Sequence, residues 1–199
     1  MTERRFTVFA LSVFVLHQLP TVVGGAGEWV DLLTPFGVLG AAGWLLAGLR
    51  PRPGVLALAA VAAVLYVDGH GIHLSANAIN SVAPGDTAHF WDEVWGHLEW
   101  HSGWFLLLGA LVAAEPARLG RPALLGSALL GWTLFTNTVE GGTWWLALPV
   151  GAAFAAWALR ERRPLALSVG LAFTLCALLI GVWALWQGGV PQFSEAGLL

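Results

Sequence analysis

Nine arginines and no lysine fall in four clusters along these 199 residues, and two apolar runs separate each cluster from the next. Arg4 and Arg5 precede the first run, Arg50 and Arg52 follow the second, Arg118 and Arg121 the fourth, and Arg160, Arg162 and Arg163 the sixth. A helical run of about 20 apolar residues matches the ~30 Å hydrocarbon core of a bilayer. Backbone in lipid must satisfy its own N–H and C=O groups, so a chain built this way is restricted to a helical bundle that crosses the membrane repeatedly. Composition agrees, with 57% hydrophobic residues, 11% charged residues and a mean hydropathy of +0.73.

The apolar runs cover residues 6–24, 33–50, 53–79, 89–114, 122–141, 143–160 and 164–187, which predicts an all-α, polytopic protein with seven transmembrane helices in a single domain, 1–199. All the arginines then lie on one side, and the opposite loops carry Glu28, Asp31, Asp86 and Glu195 without a basic residue. The positive-inside rule therefore predicts a cytoplasmic N-terminus and an extracytoplasmic C-terminus in a multi-pass cell-membrane protein, of the bacterial inner-membrane type. Residues 1–25 have the charge and apolar pattern of a secretory signal, but His17, Gln18 and Pro20 interrupt the apolar stretch and favour a retained first helix. The lone Cys176 provides neither a disulfide framework nor a thiolate site, and no basic patch suits nucleic acid.

Against this background, residues 68–101 stand out. They hold five of the six histidines together with Asp68, Asp86, Asp92, Glu93 and Glu99. Each ionisable side chain inside a bilayer costs on the order of 2.5–3.5 kcal/mol even on the lenient insertion scale, so such density points to function. The third span carries Tyr66, His70, His73, Asn77 and Asn80 at spacings of four, three, four and three, one face of a helix. On the fourth, His89, Glu93, His97 and His101 recur every four residues, while Asp92 and Glu99 look out on a second face. Thr133, Thr136, Asn137 and Glu140 form a similar stripe on the fifth. Three polar faces on successive helices are expected to turn toward one another in the bundle interior, nearer its outer leaflet.

Imidazole and carboxylate without thiolate form the donor set of zinc, with iron or copper as further options. The expected ligands are His70, His73, Glu93, His97 and His101. Asn77, His89, Glu99, Asn137 and His17 are expected beside them; His17 also has a plain structural reading, as interhelical hydrogen-bonding glue. A metal here lowers the pKa of a bound water to about 7 and polarises a carbonyl or phosphoryl group. Glu140 or Asp92 would take or return the proton. Of the tryptophans, Trp29, Trp91, Trp95, Trp144, Trp145, Trp183 and Trp186 suit an interfacial belt, whereas Trp100, Trp104 and Trp132 lie deeper and could wall an apolar pocket.

Two functions fit these residues. The first is a membrane-embedded metalloenzyme that hydrolyses, or oxidises, an amphipathic lipid-like substrate drawn from the bilayer. The second is a haem- or metal-binding protein for electron transfer, metal uptake or delivery. A conduit needs polar groups across the whole membrane, and residues 53–65, 104–114 and 123–132 are nearly all apolar, which favours a pocket over a channel.

Overall fold

A computed structural model describes residues 2–23, 27–116 and 119–198; Arg118 lies outside the described residues. Among the described residues the chain is all helical, without a strand, and forms seven helices when the consecutive segments of 86–114 are taken as one. These are α1 (Thr2–Val22), α2 (Gly27–Ala47), α3 (Pro53–Val82), α4 (86–114), α5 (Leu124–Glu140), α6 (Trp144–Glu161) and α7 (Pro164–Gln187). Prolines at the first turns of α3 and α7 start those helices with a preset φ, and Gly188 ends α7 in the left-handed region at φ 73°.

The expected seven spans correspond to these seven helices, but among the described residues only three stretches, Trp29–Ala47, Pro53–Val82 and Pro164–Gln187, are long and apolar enough to cross a membrane. Polar residues recur in the other helices, with the histidine and carboxylate cluster on α4, and α5 has 17 residues. The second helix also begins at Gly27, ahead of the expected residue 33, so Asp31 belongs to a helix and not to a loop.

α4 is not uniformly α-helical. Asp86–His89 and His97–Ala114 are α-helix, and Phe90–Gly96 between them is π-helix. A π segment fits an additional residue into its turn and so rotates the later part of the helix, and such segments concentrate at functional sites.

The tightest helix pair is α3 against α4. A Cβ added at Gly69 would fall within the backbone of Trp100, one at Gly103 within that of Tyr66, and one at Gly96 would lie 2.9 Å from His73 N. As positions rise along α3 their neighbours fall along α4, so the two run antiparallel with their backbones in near contact. Gly69→Ala should therefore lower unfolding stability in detergent by ~1–3 kcal/mol through overpacking. Gly71, which has nothing within 4 Å of its added Cβ, is the control. Gly71→Ala should be neutral or slightly stabilising, since Ala gains up to ~1 kcal/mol of helix propensity over Gly.

Contacts also gather the arginine clusters at one end of the bundle. Arg5 lies over the Trp44 ring, 5.0 Å from its centroid. The Ser168 hydroxyl accepts from Ala123 N–H at 2.8 Å, Glu115 accepts from Leu165 N–H at 2.7 Å, and Arg163 donates to the Glu115 carbonyl. Much of the interior is apolar, with Phe6, Phe9, Tyr66, Trp104, Leu108 and Phe173 almost fully buried.

Candidate functional site

Away from the arginine end, a cavity of about 490 Å³ opens between α1, α3, α4 and α5. His17 and Gln18 of α1, His73 and Asn77 of α3, and Glu93, His97 and Trp100 of α4 form three of its walls. Thr136, Asn137 and Glu140 of α5 form the fourth, with Gly141 beyond it. Each of the three stripes expected to converge thus sends part of its members to this cavity: His73 and Asn77, Glu93 and His97, and Thr136, Asn137 and Glu140.

Trp100 is the hub. The rings of His70, His101, His73, His97 and His17 surround it at centroid distances of 4.5, 4.9, 5.7, 5.8 and 6.1 Å. Sequence alone suggests an apolar wall for Trp100, whereas it is the surface on which five histidines are ordered.

Each histidine has its own partner. His17 Nδ1–H donates to the Val13 carbonyl at 2.8 Å and its Nε2 accepts from the Tyr66 hydroxyl at 3.3 Å. His70 Nε2 pairs with Asp31 Oδ1 at 3.2 Å, and His101 Nδ1 shares a 2.6 Å hydrogen bond with the Thr143 hydroxyl. His97 Nδ1–H donates to the Glu93 carbonyl at 3.3 Å, with the Glu93 carboxylate 3.7 Å away. His73 Nδ1 lies 2.7 Å from Asp92 Oδ1, a close approach with angles outside those of an aligned hydrogen bond. Asp92 itself is buried, with a side chain 1% exposed.

Of the expected ligands, His73, His97 and Glu93 lie on the cavity wall, while His70 and His101 do not line it and give one ring nitrogen each to Asp31 and Thr143. Among the described residues no three His, Cys, Asp or Glu side chains are grouped so as to hold a metal ion. Of the described histidine ring pairs the closest is His73 with His97, centroids 4.3 Å apart.

The four-residue ladder along α4 is also interrupted. The π segment breaks its register, so His89 is exposed at the start of the helix and Asp92 swings inward behind His73. Glu99 faces away from the cavity, where it accepts a 3.0 Å hydrogen bond from Trp95 Nε1–H. Of the remaining expected residues, His17, Asn77, Asn137 and Glu140 do line the cavity.

Other residues of the site are not evident from sequence. The expected start of the second span leaves Asp31 in a loop, although its spacing from Thr34 along an apolar run is a helical signal. Gln18, whose Nε2–H donates to Thr136 Oγ1 at 3.2 Å, reads in sequence only as an interruption of the first span. Least expected is the segment after α7. Phe193 and Ser194 form part of the cavity wall, and their N–H groups donate to Glu140 Oε2 at 2.7 and 3.2 Å. Gln192 Nε2–H donates to Glu93 Oε2 at 3.0 Å.

Compared with models of protein families, with curated proteins and with solved structures, the chain matches none. Function has to be read from the geometry.

Proposed function

We propose that this cavity is the active site of a membrane-embedded enzyme that hydrolyses an amphipathic, lipid-like substrate. The observation that carries the reading is the contact of His73 with the buried carboxylate of Asp92, at the wall of a cavity large enough for a small polar headgroup. A carboxylate against Nδ1 orients the ring and favours the proton there, which leaves Nε2 as a free acceptor. His73 then takes a proton from water, the resulting hydroxide adds to a carbonyl carbon, and the proton passes on to the departing group. Glu140, on the α5 wall, stands to carry that proton.

A second reading is favoured by the 4.3 Å approach of the His73 and His97 rings and the nearness of Glu93 to His97. In it these three side chains hold a divalent metal ion, zinc in the simplest case and iron or copper otherwise, and Asp92 supports His73 as an outer partner supports a metal-bound imidazole. The ion's contribution is a water activated at neutral pH. One experiment separates the two: metal content and turnover of a panel of acyl esters and amides, before and after chelation. Turnover that survives in metal-free protein supports the His73–Asp92 base. Turnover lost with the metal and restored by zinc supports the ion. No turnover in either state contradicts an esterase or amidase.

The proposal includes the topology: seven membrane crossings in a cell membrane, the arginine end cytoplasmic and the cavity end extracytoplasmic. A reporter fused behind residue 199 should then be active only outside the cytoplasm, and one inserted at 160–163 only inside. A fusion behind residue 199 active in the cytoplasm contradicts this arrangement.

A further inference from the structure

The segment that follows α7 marks what the cavity accepts. It leaves α7 through Gly188 and is pinned where Trp183 Nε1–H donates to the Pro191 carbonyl at 2.9 Å. The Phe193 ring packs on Trp183 and Phe135 at centroid distances of 4.9 and 5.5 Å. From that apolar seat the backbone N–H groups of Phe193 and Ser194 reach Glu140, while the Gln192 carboxamide reaches Glu93. Both cavity carboxylates are thus met by N–H donors carried on an amphipathic segment.

The cavity itself offers acceptors. His97, 5% exposed, lines it with Nδ1–H given to the Glu93 carbonyl, and its Nε2 has no hydrogen-bond partner among the described residues. Three wall side chains able to donate already do so within the protein: Asn137 Nδ2–H to the Thr133 carbonyl at 2.9 Å, Thr136 to the same carbonyl at 3.2 Å, and Gln18 to Thr136. The described arginines belong to the opposite end of the bundle. A carboxylate or phosphate headgroup would therefore enter against negative charge with no cation to receive it, whereas an ammonium group would find three acceptors.

We propose that the cavity binds an amphiphile whose headgroup is a primary amine, its N–H groups taking the positions on Glu93 and Glu140 that Gln192, Phe193 and Ser194 hold. The assignment rests on the cavity being the substrate site and names the substrate class. The segment after α7 is then a competitor that must leave as the headgroup enters.

The test uses the full chain in nanodiscs of zwitterionic lipid, with decylamine and decanoate as probes. Decylamine should bind and speed hydrogen exchange at the Phe193 and Ser194 amides, and decanoate should do neither. Glu140→Gln should weaken decylamine about tenfold by removing a charge-assisted acceptor. Gln192→Ala should tighten it a few-fold, because a larger fraction of molecules has the segment released. Decanoate binding as tightly as decylamine overturns the assignment, and so does a Gln192→Ala variant with weakened decylamine binding. Asp92→Asn separates this outcome from the hydrolytic reading. Undiminished decylamine binding in that variant upholds the headgroup assignment even where turnover is absent from every form of the protein.

Discussion

Replacing His73 by Ala should destabilise the protein by ~1–3 kcal/mol, the cost of leaving a buried polar group without its partner. Asp92 is the reason. Its side chain is 1% exposed and its nearest ionisable partner is His73 Nδ1 at 2.7 Å. With the imidazole gone, the buried carboxylate loses the ionisable side chain that meets it. The loss should be read by denaturant or SDS unfolding of purified protein. Asp92→Ala in the same background should recover part of it, so the double variant should be less destabilised than the sum of the single ones. Strict additivity would mean that the two side chains do not act on each other.

Glu140→Gln should slow turnover by ~10²–10⁴-fold while leaving the fold intact, the range for loss of a general acid–base group. The amide oxygen of the replacement can still accept from the N–H groups of Phe193 and Ser194, which lie 2.7 and 3.2 Å from Glu140 Oε2. What it cannot do is carry a proton. Unfolding stability close to the wild type together with slow turnover at saturating substrate would assign the residue to chemistry. Wild-type turnover in both Glu140→Gln and Asp92→Asn would argue against acid–base catalysis and return the cavity to a binding role.

Much of this arrangement is legible in the sequence because membrane helices leave few ways to hide polar residues. Arginine clusters at every second turn imply a bundle with one basic end, and contacts such as Arg5 with Trp44 and Arg163 with Glu115 gather them there. The α3 stripe is equally readable, but its assignment to one site is too simple. A polar face is wide enough to meet two neighbours, and α2 takes His70 through Asp31 while the cavity takes His73 and Asn77. The π segment at Phe90–Gly96 has no local sequence signal, so the even spacing of His89, Glu93, His97 and His101 suggests a ladder that the backbone does not build. The segment after α7 escapes a sequence reading because its contribution is made largely by backbone N–H groups, which no residue pattern announces.

The central claim is that Asp92 holds His73 with its proton on Nδ1 and its Nε2 free to act. Nitrogen-15 NMR of histidine-labelled protein near neutral pH reads this directly and needs no substrate, with the His73 signals identified by their loss in His73→Gln. The expected result is a protonated Nδ1 and an unprotonated Nε2 at His73, and a collapse of that preference in Asp92→Ala. A His73 ring with its proton on Nε2 and a bare Nδ1 facing Asp92 would contradict it.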